Sequence, residues 1–293
     1  MDMLTAHKAL WWESLDEAQV ICKLCPRHCR IDKDTYGFCG VRKNIDGELY
    51  TLAYGYPVAL QADPIEKKPL LEFMPGSRVF SLGTFGCNLG CVFCQNDQLS
   101  RGHYDEARQY DYFSPARIVE LALMHGCKSV ACTYNEPTVF AEYAIDVAKE
   151  AAQNKLAFVL VSNACITLEA AADLFPHADA ANFDMKGFSE NFYAEMTNSH
   201  LRPVLDAIKY FYSLGKHVEL TNLVIPGKND DDNMIHAYLD WVEQELDPTV
   251  PLHFSAYHPA CKCNIPPTAA TTLRHIRDMA HERGFDHVYL GNI

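Results

Sequence analysis

The stretch CNLGCVFCQN, residues 87–96, carries three cysteines at the spacing C-x3-C-x2-C, on a glycine-bearing loop after a predicted strand at 79–84. Thiolates are the usual ligands of iron–sulfur clusters, and a [4Fe–4S] cube needs four ligands. Three close cysteines leave one iron free to bind a small molecule. A zinc site with a distant fourth ligand and unbound structural thiols are the alternatives, but structural zinc usually shows paired C-x2-C halves. We therefore predict that Cys87, Cys91 and Cys94 hold a [4Fe–4S] cluster.

A second set of cysteines precedes this loop. Cys22, Cys25, Cys29 and Cys39 follow the spacing C-x2-C-x3-C-x9-C, which offers a complete ligand set for tetrahedral zinc or for a second iron–sulfur cluster. The spacing does not choose between the two metals, and unbound thiols are the third reading. In a reducing compartment clustered cysteines are more often ligands than disulfides, so we predict a metal here.

From residue 79 onward, short apolar and β-branched runs alternate with amphipathic stretches. We predict strands at 79–84, 128–133, 156–162, 179–184, 217–224, 252–257 and 287–290, and helices at 115–125, 138–153, 167–175, 201–214, 231–245 and 268–283. This alternation favours right-handed βαβ units with a parallel sheet, either curled into a full or partial barrel or laid out as a doubly wound open sheet. Residues 1–78 lack the alternation, so we predict a Cys-rich N-terminal extension (1–78) and a core domain (79–293).

Polar clusters follow six of the predicted strands. After the cysteine loop come TYNEPT, SNAC, DMKG, IPGKNDDD and YHP. Ligand sites of parallel α/β folds gather at the C-terminal ends of the strands. We therefore expect these clusters to form the rim of one active site.

The net charge and the N-terminal sequence restrict the possible partners and the cellular compartment of the protein. Asp plus Glu is 38 against 25 Lys plus Arg, a net charge of -13, which argues against nucleic acid as a partner. The first residues show no basic and apolar signal-peptide pattern, and no apolar run approaches the length of a membrane span. We expect a cytoplasmic protein without membrane contact.

The motifs together resemble the radical S-adenosylmethionine (SAM) enzymes, in particular the activating enzymes of glycyl-radical enzymes such as pyruvate formate-lyase activating enzyme. The stretches CKLCPRHCRIDKDTYGFCGVR and DPIEKKPLLEFMPGSRVFSLGTFGCN are similar to the radical SAM component of the AmmeMemoRadiSam system, over nearly the whole chain. The resemblance implies a partial TIM-like (β/α)6 barrel. It also implies that the cluster cleaves SAM reductively, with an electron from a donor such as flavodoxin or ferredoxin, and that the 5′-deoxyadenosyl radical takes a hydrogen atom from a substrate.

The resemblance also implies roles for residues at the strand ends. Phe93 would pack near the adenine, Glu136 would hold the SAM ammonium, and His258 would approach the ribose. Asp184 and Lys186 match a D-x-K motif near SAM. Each has a plain alternative: a core aromatic, a solvated carboxylate, a structural histidine or a surface ion pair. Asn96 is a candidate hydrogen-bond donor to the cluster sulfurs or a loop residue, and Asn163 follows the third strand.

Three functions remain open from the sequence. The first is activation of a partner protein by hydrogen abstraction from a backbone glycine. The second is radical modification of a small molecule or an RNA base, the latter disfavoured by the acidic charge. The third is a metal-binding scaffold that docks Memo-type partners without turnover. The intact cluster cysteines and Glu136 argue against the third.

Overall fold

The computed structural model describes residues 5–105 and 109–293. Its N-terminal part, where the sequence lacks the strand–helix alternation and we predicted no strands, contains two antiparallel three-stranded sheets. One sheet is formed by β1 (His7–Lys8), β5 (Arg42–Ile45) and β6 (Glu48–Thr51), and the other by β2 (Trp12–Ser14), β3 (Val20–Cys22) and β4 (Arg30–Ile31). These strands have two to four residues each, too few to give a readable alternation.

The main sheet has eight strands in the order β14-β13-β12-β11-β10-β9-β8-β7. They are β7 (Ala59–Pro64), β8 (Arg78–Gly83), β9 (Ser129–Cys132), β10 (Ala157–Ser162), β11 (Ala180–Asp184), β12 (His217–Val224), β13 (Leu252–Ala256) and β14 (Val288–Gly291). Strands β8 to β14 are parallel, and β7 pairs antiparallel with β8. The α/β fold with a partly open parallel sheet is thus confirmed, with β7 and β14 at its two edges.

The seven predicted parallel strands all exist, while β7 was missed. Buried strands read as continuous apolar runs, and β9 shows why, since all four of its residues are buried. By contrast, β7 is mixed in character, with the sequence ALQADP and only one buried residue. The sheet therefore begins before residue 79, the start of the predicted core domain.

The helices are α1 (Asp97–Ser100), α2 (Pro115–Met124), α3 (Ala141–Gln153), α4 (Leu168–Leu174), α5 (Glu190–Phe192), α6 (Leu201–Ser213), α7 (Asp232–Glu245) and α8 (Ala270–Glu282). Local chemistry sets several of their starts. The side chains of Ser114, Thr167 and Asp231 cap the N-termini of α2, α4 and α7 by accepting backbone amide hydrogen bonds. The six predicted helices are confirmed, although α3 begins three residues late because a 3₁₀ turn occupies Pro137–Phe140.

Residues 65–77, between β7 and β8, fill the interior of the barrel near the start of its strands. We call this segment the plug. Its residues Ile65 and Leu70 pack in a separate buried apolar cluster with inward side chains from neighbouring strands, namely Val79, Ala131, Val159 and Ala180. The plug therefore closes the barrel beneath the C-terminal ends of the strands.

A buried carboxylate anchors the plug to β12. Glu219 accepts hydrogen bonds from the backbone amides of Leu71 (3.0 Å) and Glu72 (2.9 Å) and from the imidazoles of His217 (2.9 Å) and His253 (2.6 Å). Burial alone would raise the pKa of Glu219, but these donors lower it to about 2. The plug is thus fixed by charge-assisted hydrogen bonds as well as by apolar packing.

Within the described residues, no helix is both long and apolar enough to cross a membrane.

Candidate active site

A cavity of about 390 Å³ lies at the C-terminal ends of the parallel strands, where the polar clusters were expected to meet. Its volume falls in the range of small-molecule pockets. Nine of the ten residues expected at the cluster and the cofactor line it, and His258 is the exception. The lining comprises Lys67, Lys68, Pro69, Cys87, Leu89, Cys91, Phe93, Cys94, Gln95, Asn96, Ser100, Thr133, Tyr134, Asn135, Glu136, Val161, Asn163, Asp184, Lys186, Thr221, Leu223, Ser255 and Asn292.

The three cysteines of residues 87–96 all line this cavity, and hydrogen-bond donors face their sulfurs. The backbone amide of Leu89 lies 3.4 Å from Cys87 Sγ, and Asn163 Nδ2 lies 3.7 Å from the same atom. Donors of this kind stabilise thiolates and tune the potential of a cluster. Asn163 is therefore a neighbour of the cluster loop, a contact that its position after the third parallel strand did not reveal.

The residues present fit a [4Fe–4S] cluster. Burial raises the pKa of Cys87 well above its usual value and that of Cys91 to about 11, while nearby Lys186 opposes the rise at Cys91. Metal binding must displace these protons. No group of three or more His, Cys, Asp or Glu converges on one ion among residues 5–105 and 109–293. That finding is compatible with a cube, which spreads its thiolates over three different irons.

Glu136 ends the loop after β9 and is buried against the start of the next strand-end loop. Its Oε1 accepts hydrogen bonds from Thr138 N (2.9 Å) and Ser162 Oγ (2.7 Å), and its Oε2 accepts one from Asn163 N (2.8 Å). Burial raises the pKa of Glu136, and these donors oppose the rise. A carboxylate oxygen can accept more than one hydrogen bond, so Oε2 can also accept one from a ligand in the cavity.

Tyr134 and Asn135 precede Glu136 in the loop after β9. Tyr134 adopts a left-handed φ of 72°, which glycine adopts more readily. Asn135 fastens the cluster loop: its Nδ2 donates to Gly86 O (2.8 Å) and to Thr84 Oγ1 (3.0 Å), and its Oδ1 accepts from Thr84 N (2.9 Å). The side chain of Asn135 therefore ties the loop after β9 to the residues that precede Cys87.

Asp184 and Lys186 form an ion pair of 2.9 Å on the cavity wall. Burial alone would lower the pKa of Lys186, but Asp184 and the thiol of Cys91 raise it. Lys186 therefore stays charged beside the cluster cysteines. The pair is neither a surface pair nor remote from the predicted cofactor, since both residues line the cavity.

Three further predicted residues differ in their placement. Phe93 is buried, lines the cavity and packs 6.1 Å from the ring of Phe192. Asn96 lines the cavity, but its Nδ2 donates to Tyr134 O (2.8 Å) and not to a cluster sulfur. His258 is exposed and is not among the lining residues, because it lies beyond the end of β13 with its side chain in solvent. The structure thus does not bring His258 together with the other predicted site residues.

Several lining residues were missed by the sequence reasoning. Lys67 and Lys68 come from the plug, and Thr221 and Ser255 are inward residues of β12 and β13. The two lysines stand in the stretch EKKP, a local basic pair in an acidic chain. That basic pair was the one sequence feature that could have indicated these residues. The hydrophobic periodicity of residues 65–77 does not predict that the plug enters the barrel.

The comparison with protein families agrees with this geometry. The model of the Radical SAM superfamily matches residues 81–239, more than half of the chain and including all three cluster-loop cysteines. This chain belongs to the radical SAM superfamily. The family uses a [4Fe–4S] cluster and SAM, and these cofactors match the open three-cysteine loop.

One relative and several solved structures are similar to this chain beyond the residues that the family model matches. The uncharacterized protein MJ0808 of Methanocaldococcus jannaschii is 40% identical over 288 residues, which cover 98% of this chain and 85% of that protein. SuiB of Streptococcus suis, solved with its precursor peptide SuiA, aligns with a TM-score of 0.56 and 16% identity over 73% of this chain and 48% of SuiB. A domain of pyruvate-formate lyase-activating enzyme from Bacteroides vulgatus aligns with a TM-score of 0.49 and 15% identity, covering 56% of this chain and 99% of that domain. At this low identity, the likeness to SuiB shows a shared fold.

The four N-terminal cysteines lie apart from the radical SAM cavity. Cys22, Cys25, Cys29 and Cys39 line one small cavity of about 20 Å³, together with the buried guanidinium of Arg42. The structure therefore brings all four thiols together. Within the described residues they do not converge on the geometry of a single bound ion.

The N-terminal set also contacts the radical SAM cluster loop. Arg27, between Cys25 and Cys29, donates hydrogen bonds through its guanidinium to the carbonyl oxygens of Asn88 and Asn198. Gly86 has a φ of +92°, and a Cβ at this position would lie 2.5 Å from the carbonyl oxygen of Cys39. The extension thus packs directly on the backbone that presents Cys87.

Proposed function

We propose that this radical SAM protein cleaves SAM reductively at a [4Fe–4S] cluster held by Cys87, Cys91 and Cys94, and abstracts hydrogen from a glycine of a partner protein. When bound, the cluster supplies one electron that splits the C5′–S bond of SAM into methionine and a 5′-deoxyadenosyl radical. The radical then takes one hydrogen atom from the substrate and becomes 5′-deoxyadenosine, which leaves a substrate radical. The electron comes from a low-potential donor such as flavodoxin or ferredoxin.

One observation carries the proposal. Three thiols from a single loop face the same cavity as Glu136, Asn163 and the Asp184–Lys186 ion pair. The thiols hold the cluster, and the free lone pair of Glu136 Oε2 accepts a hydrogen bond from the SAM ammonium. The Asp184–Lys186 pair presents a fixed cation and anion at the wall, and the buried surroundings of Glu136 keep water away from its carboxylate.

The open sheet supports a protein substrate. Strands β7 and β14 stand at opposite edges of the sheet and do not pair with each other, so the sheet is open there, although Glu72 of the plug contacts His287 and Tyr289. An extended peptide needs such an opening to bring a backbone glycine to the radical carbon. Among the proteins of similar fold, SuiB was solved with a precursor peptide.

A small-molecule substrate is the second candidate, and the plug favours it. Residues 65–77 occupy the barrel interior beneath the cavity and so limit the space for a large substrate. Assignment to the AmmeMemoRadiSam system with a Memo-type partner is the third element of the proposal, supported by the resemblance of the N-terminal stretches.

We further propose that Cys22, Cys25, Cys29 and Cys39 bind their own metal, zinc or iron. This proposal is supported by the cavity that the four cysteines share and by the buried Arg42. The Nε of Arg42 has no hydrogen-bond partner among the described residues. The guanidinium is paired with the buried carboxylate of Glu142 (2.8 Å), and its Nε is the group left to donate to a thiolate. A cytoplasmic location is proposed with it, because a reducing compartment keeps all twelve cysteines available as thiols.

Electron paramagnetic resonance on anaerobically reconstituted protein tests the proposal. The dithionite-reduced cluster should give a signal whose g-values shift when SAM is added, because SAM fills the open coordination position. With the correct protein partner, deuterium placed on its glycine α-carbons should pass into 5′-deoxyadenosine, and the unlabelled partner should give a glycyl doublet. A signal unchanged by SAM would refute the cluster–SAM assignment, and turnover that needs only a low-molecular-weight cell fraction would refute the protein substrate.

A further inference from the structure

Asn163 lies between the cluster loop and the residue assigned to SAM. It is the first residue after β10, and only 5% of its surface is exposed. Its backbone amide donates to Glu136 Oε2 (2.8 Å), and its side-chain Nδ2 lies 3.7 Å from Cys87 Sγ. One residue therefore contacts both the carboxylate that we assign to the SAM ammonium and a thiol that we assign to the cluster.

The orientation of the Asn163 side-chain amide is fixed by its other contacts. Its Oδ1 accepts a hydrogen bond from the backbone amide of Cys165 (2.8 Å), so the other end of the amide group is the nitrogen. That nitrogen donates to Asn88 Oδ1 (3.0 Å) and has a second hydrogen left for Cys87 Sγ. The opposite orientation would set two donors against each other at the Cys165 amide. Asn163 therefore presents a donor to the sulfur.

Asn88 holds this arrangement in place from the other side. Its Nδ2 donates to the carbonyl oxygen of Cys165, so its Oδ1 is the atom that faces Asn163. Both asparagines are buried, and each amide is bonded at both ends. Rotation of either side chain would leave buried polar groups unpaired, which is costly. The donor to Cys87 is therefore in position before a cluster binds.

A donor at this sulfur has a defined electrostatic effect. Reduction of a [4Fe–4S] cluster adds one negative charge, so N–H groups directed at its thiolate sulfurs stabilise the reduced state. Cys87 Sγ faces two such groups, Asn163 Nδ2 and the backbone amide of Leu89 (3.4 Å). The thiol also lies 4.0 Å from Asn88 Oδ1, but its own proton is lost when iron binds. Of the two donors, only Asn163 Nδ2 belongs to a side chain that substitution can remove.

We propose that Asn163 is a positioning residue that raises the reduction potential of the cluster through its side-chain amide and holds Glu136 for SAM through its backbone amide. The inference deepens the proposed function and rests on it, since it requires a cluster at Cys87. The two roles use different atoms of one residue. A change of the side chain should therefore alter the potential more than it alters the binding of SAM.

A redox titration of the reconstituted holoprotein, followed by electron paramagnetic resonance, tests the inference. Asn163→Ala removes the donor and should lower the potential by about 59 mV, a tenfold shift of a one-electron equilibrium. Asn163→Asp keeps an oxygen for the Cys165 amide but sets a second oxygen against the sulfur, so its potential should be lower still. Asn182→Ala is the matched control. It removes a buried amide of the adjacent strand β11, which donates to Pro69 O (2.7 Å), and should keep the wild-type potential.

SAM affinity separates this role from a general loss of structure. SAM is titrated into the oxidised holoprotein, which holds no electron for cleavage. Asn163→Ala should weaken SAM binding by less than it shifts the reduction equilibrium, because its backbone amide still bonds Glu136. Should that variant lose its cluster, Asn163→Asp carries both comparisons, since it keeps the bond to Cys165.

Two results would overturn the inference. They are a wild-type potential in the Asn163 variants and a loss of SAM affinity as large as the shift in the reduction equilibrium. Failure of the proposed function is distinguishable, because it appears in the wild-type protein itself. That protein would then form no 5′-deoxyadenosine, or its reduced signal would not respond to SAM.

Discussion

The chain carries two sets of cysteines that differ in what they leave open. The three cysteines of the cluster loop face a cavity of about 390 Å³ lined by polar and charged groups. The four N-terminal cysteines surround a space of about 20 Å³ beside one buried arginine. Three thiols in an open cavity would leave a cluster position for a ligand, whereas four thiols around a closed space would fill the coordination of the metal that we propose there. On this proposal the same side chain takes part in the chemistry at one set and supports the structure at the other.

The two sets are mechanically joined. Arg27 reaches from the four-cysteine set to the carbonyl of Asn88 in the cluster loop, and the carbonyl of Cys39 packs against Gly86. These contacts indicate that the segment with the four N-terminal cysteines supports the cluster loop. The predictions below separate the two sets in order of expected effect.

Replacing Cys87, Cys91 or Cys94 by Ala should give the largest effect. The iron bound at this site should fall from about four atoms per chain to background, because a cube with two protein thiolates is not retained. Iron analysis and the visible absorption of the reconstituted protein measure the loss. Cys132→Ala, in buried strand β9, is the matched control and should keep its cluster. Full iron in a double variant of the loop would contradict the assignment.

The second prediction isolates the N-terminal metal. A Cys87/Cys91/Cys94 triple-Ala variant should still bind one equivalent of zinc or iron. Adding Ala at Cys22, Cys25, Cys29 and Cys39 should remove that metal and lower the free energy of unfolding by roughly 3 kcal/mol or more, because metal binding is coupled to folding. Metal analysis and urea unfolding measure both effects. A triple variant that is folded but free of metal would sink the idea of a closed metal site.

The third prediction concerns the contact between the two sets. Arg27→Ala removes the hydrogen bonds to Asn88 and Asn198 and should slow 5′-deoxyadenosine formation about tenfold, because small displacements of a reacting group are costly. Arg30→Ala, an exposed arginine of the same set, removes the same charge without these contacts. Equal rates for the two variants would show that the extension does not brace the cluster loop.

The smallest effect is expected at Cys165, which is buried near both sets. Its backbone carbonyl accepts from Asn88 Nδ2, and its thiol lies 3.4 Å from Ser199 Oγ. Cys165→Ala keeps the carbonyl, so both metals should be retained and stability should fall by about 1 kcal/mol. Loss of either metal in this variant would indicate that Cys165 is a ligand. The cysteines would then not divide into a set of three and a set of four.

Much of the fold followed from sequence pattern. The seven parallel strands were predictable because strands buried between helices are continuous apolar runs, as in β9 and β10. The strands before residue 79 were not, since β1 to β6 are too short for periodicity and β7 mixes polar and apolar residues. An antiparallel edge strand also lacks the helix that marks a βα unit.

The site was predictable where one local motif carries each residue. Glu136, Asn163, Asp184 and Lys186 follow consecutive strands of a parallel sheet, so the topology brings them to one rim. Lys67 and Lys68 were missed because the plug precedes the first parallel strand and contacts β12, which is distant along the chain. His258 shows the opposite case. It matches a motif of the resembling enzymes, but the backbone places its side chain in solvent.

Product analysis of the full chain tests the central claim most directly. Anaerobically reconstituted protein with dithionite and SAM should form 5′-deoxyadenosine and methionine in equal amounts, because each electron cleaves one C5′–S bond. The Cys87/Cys91/Cys94 triple-Ala variant, treated identically, should form neither. Undiminished 5′-deoxyadenosine from that variant would contradict the account.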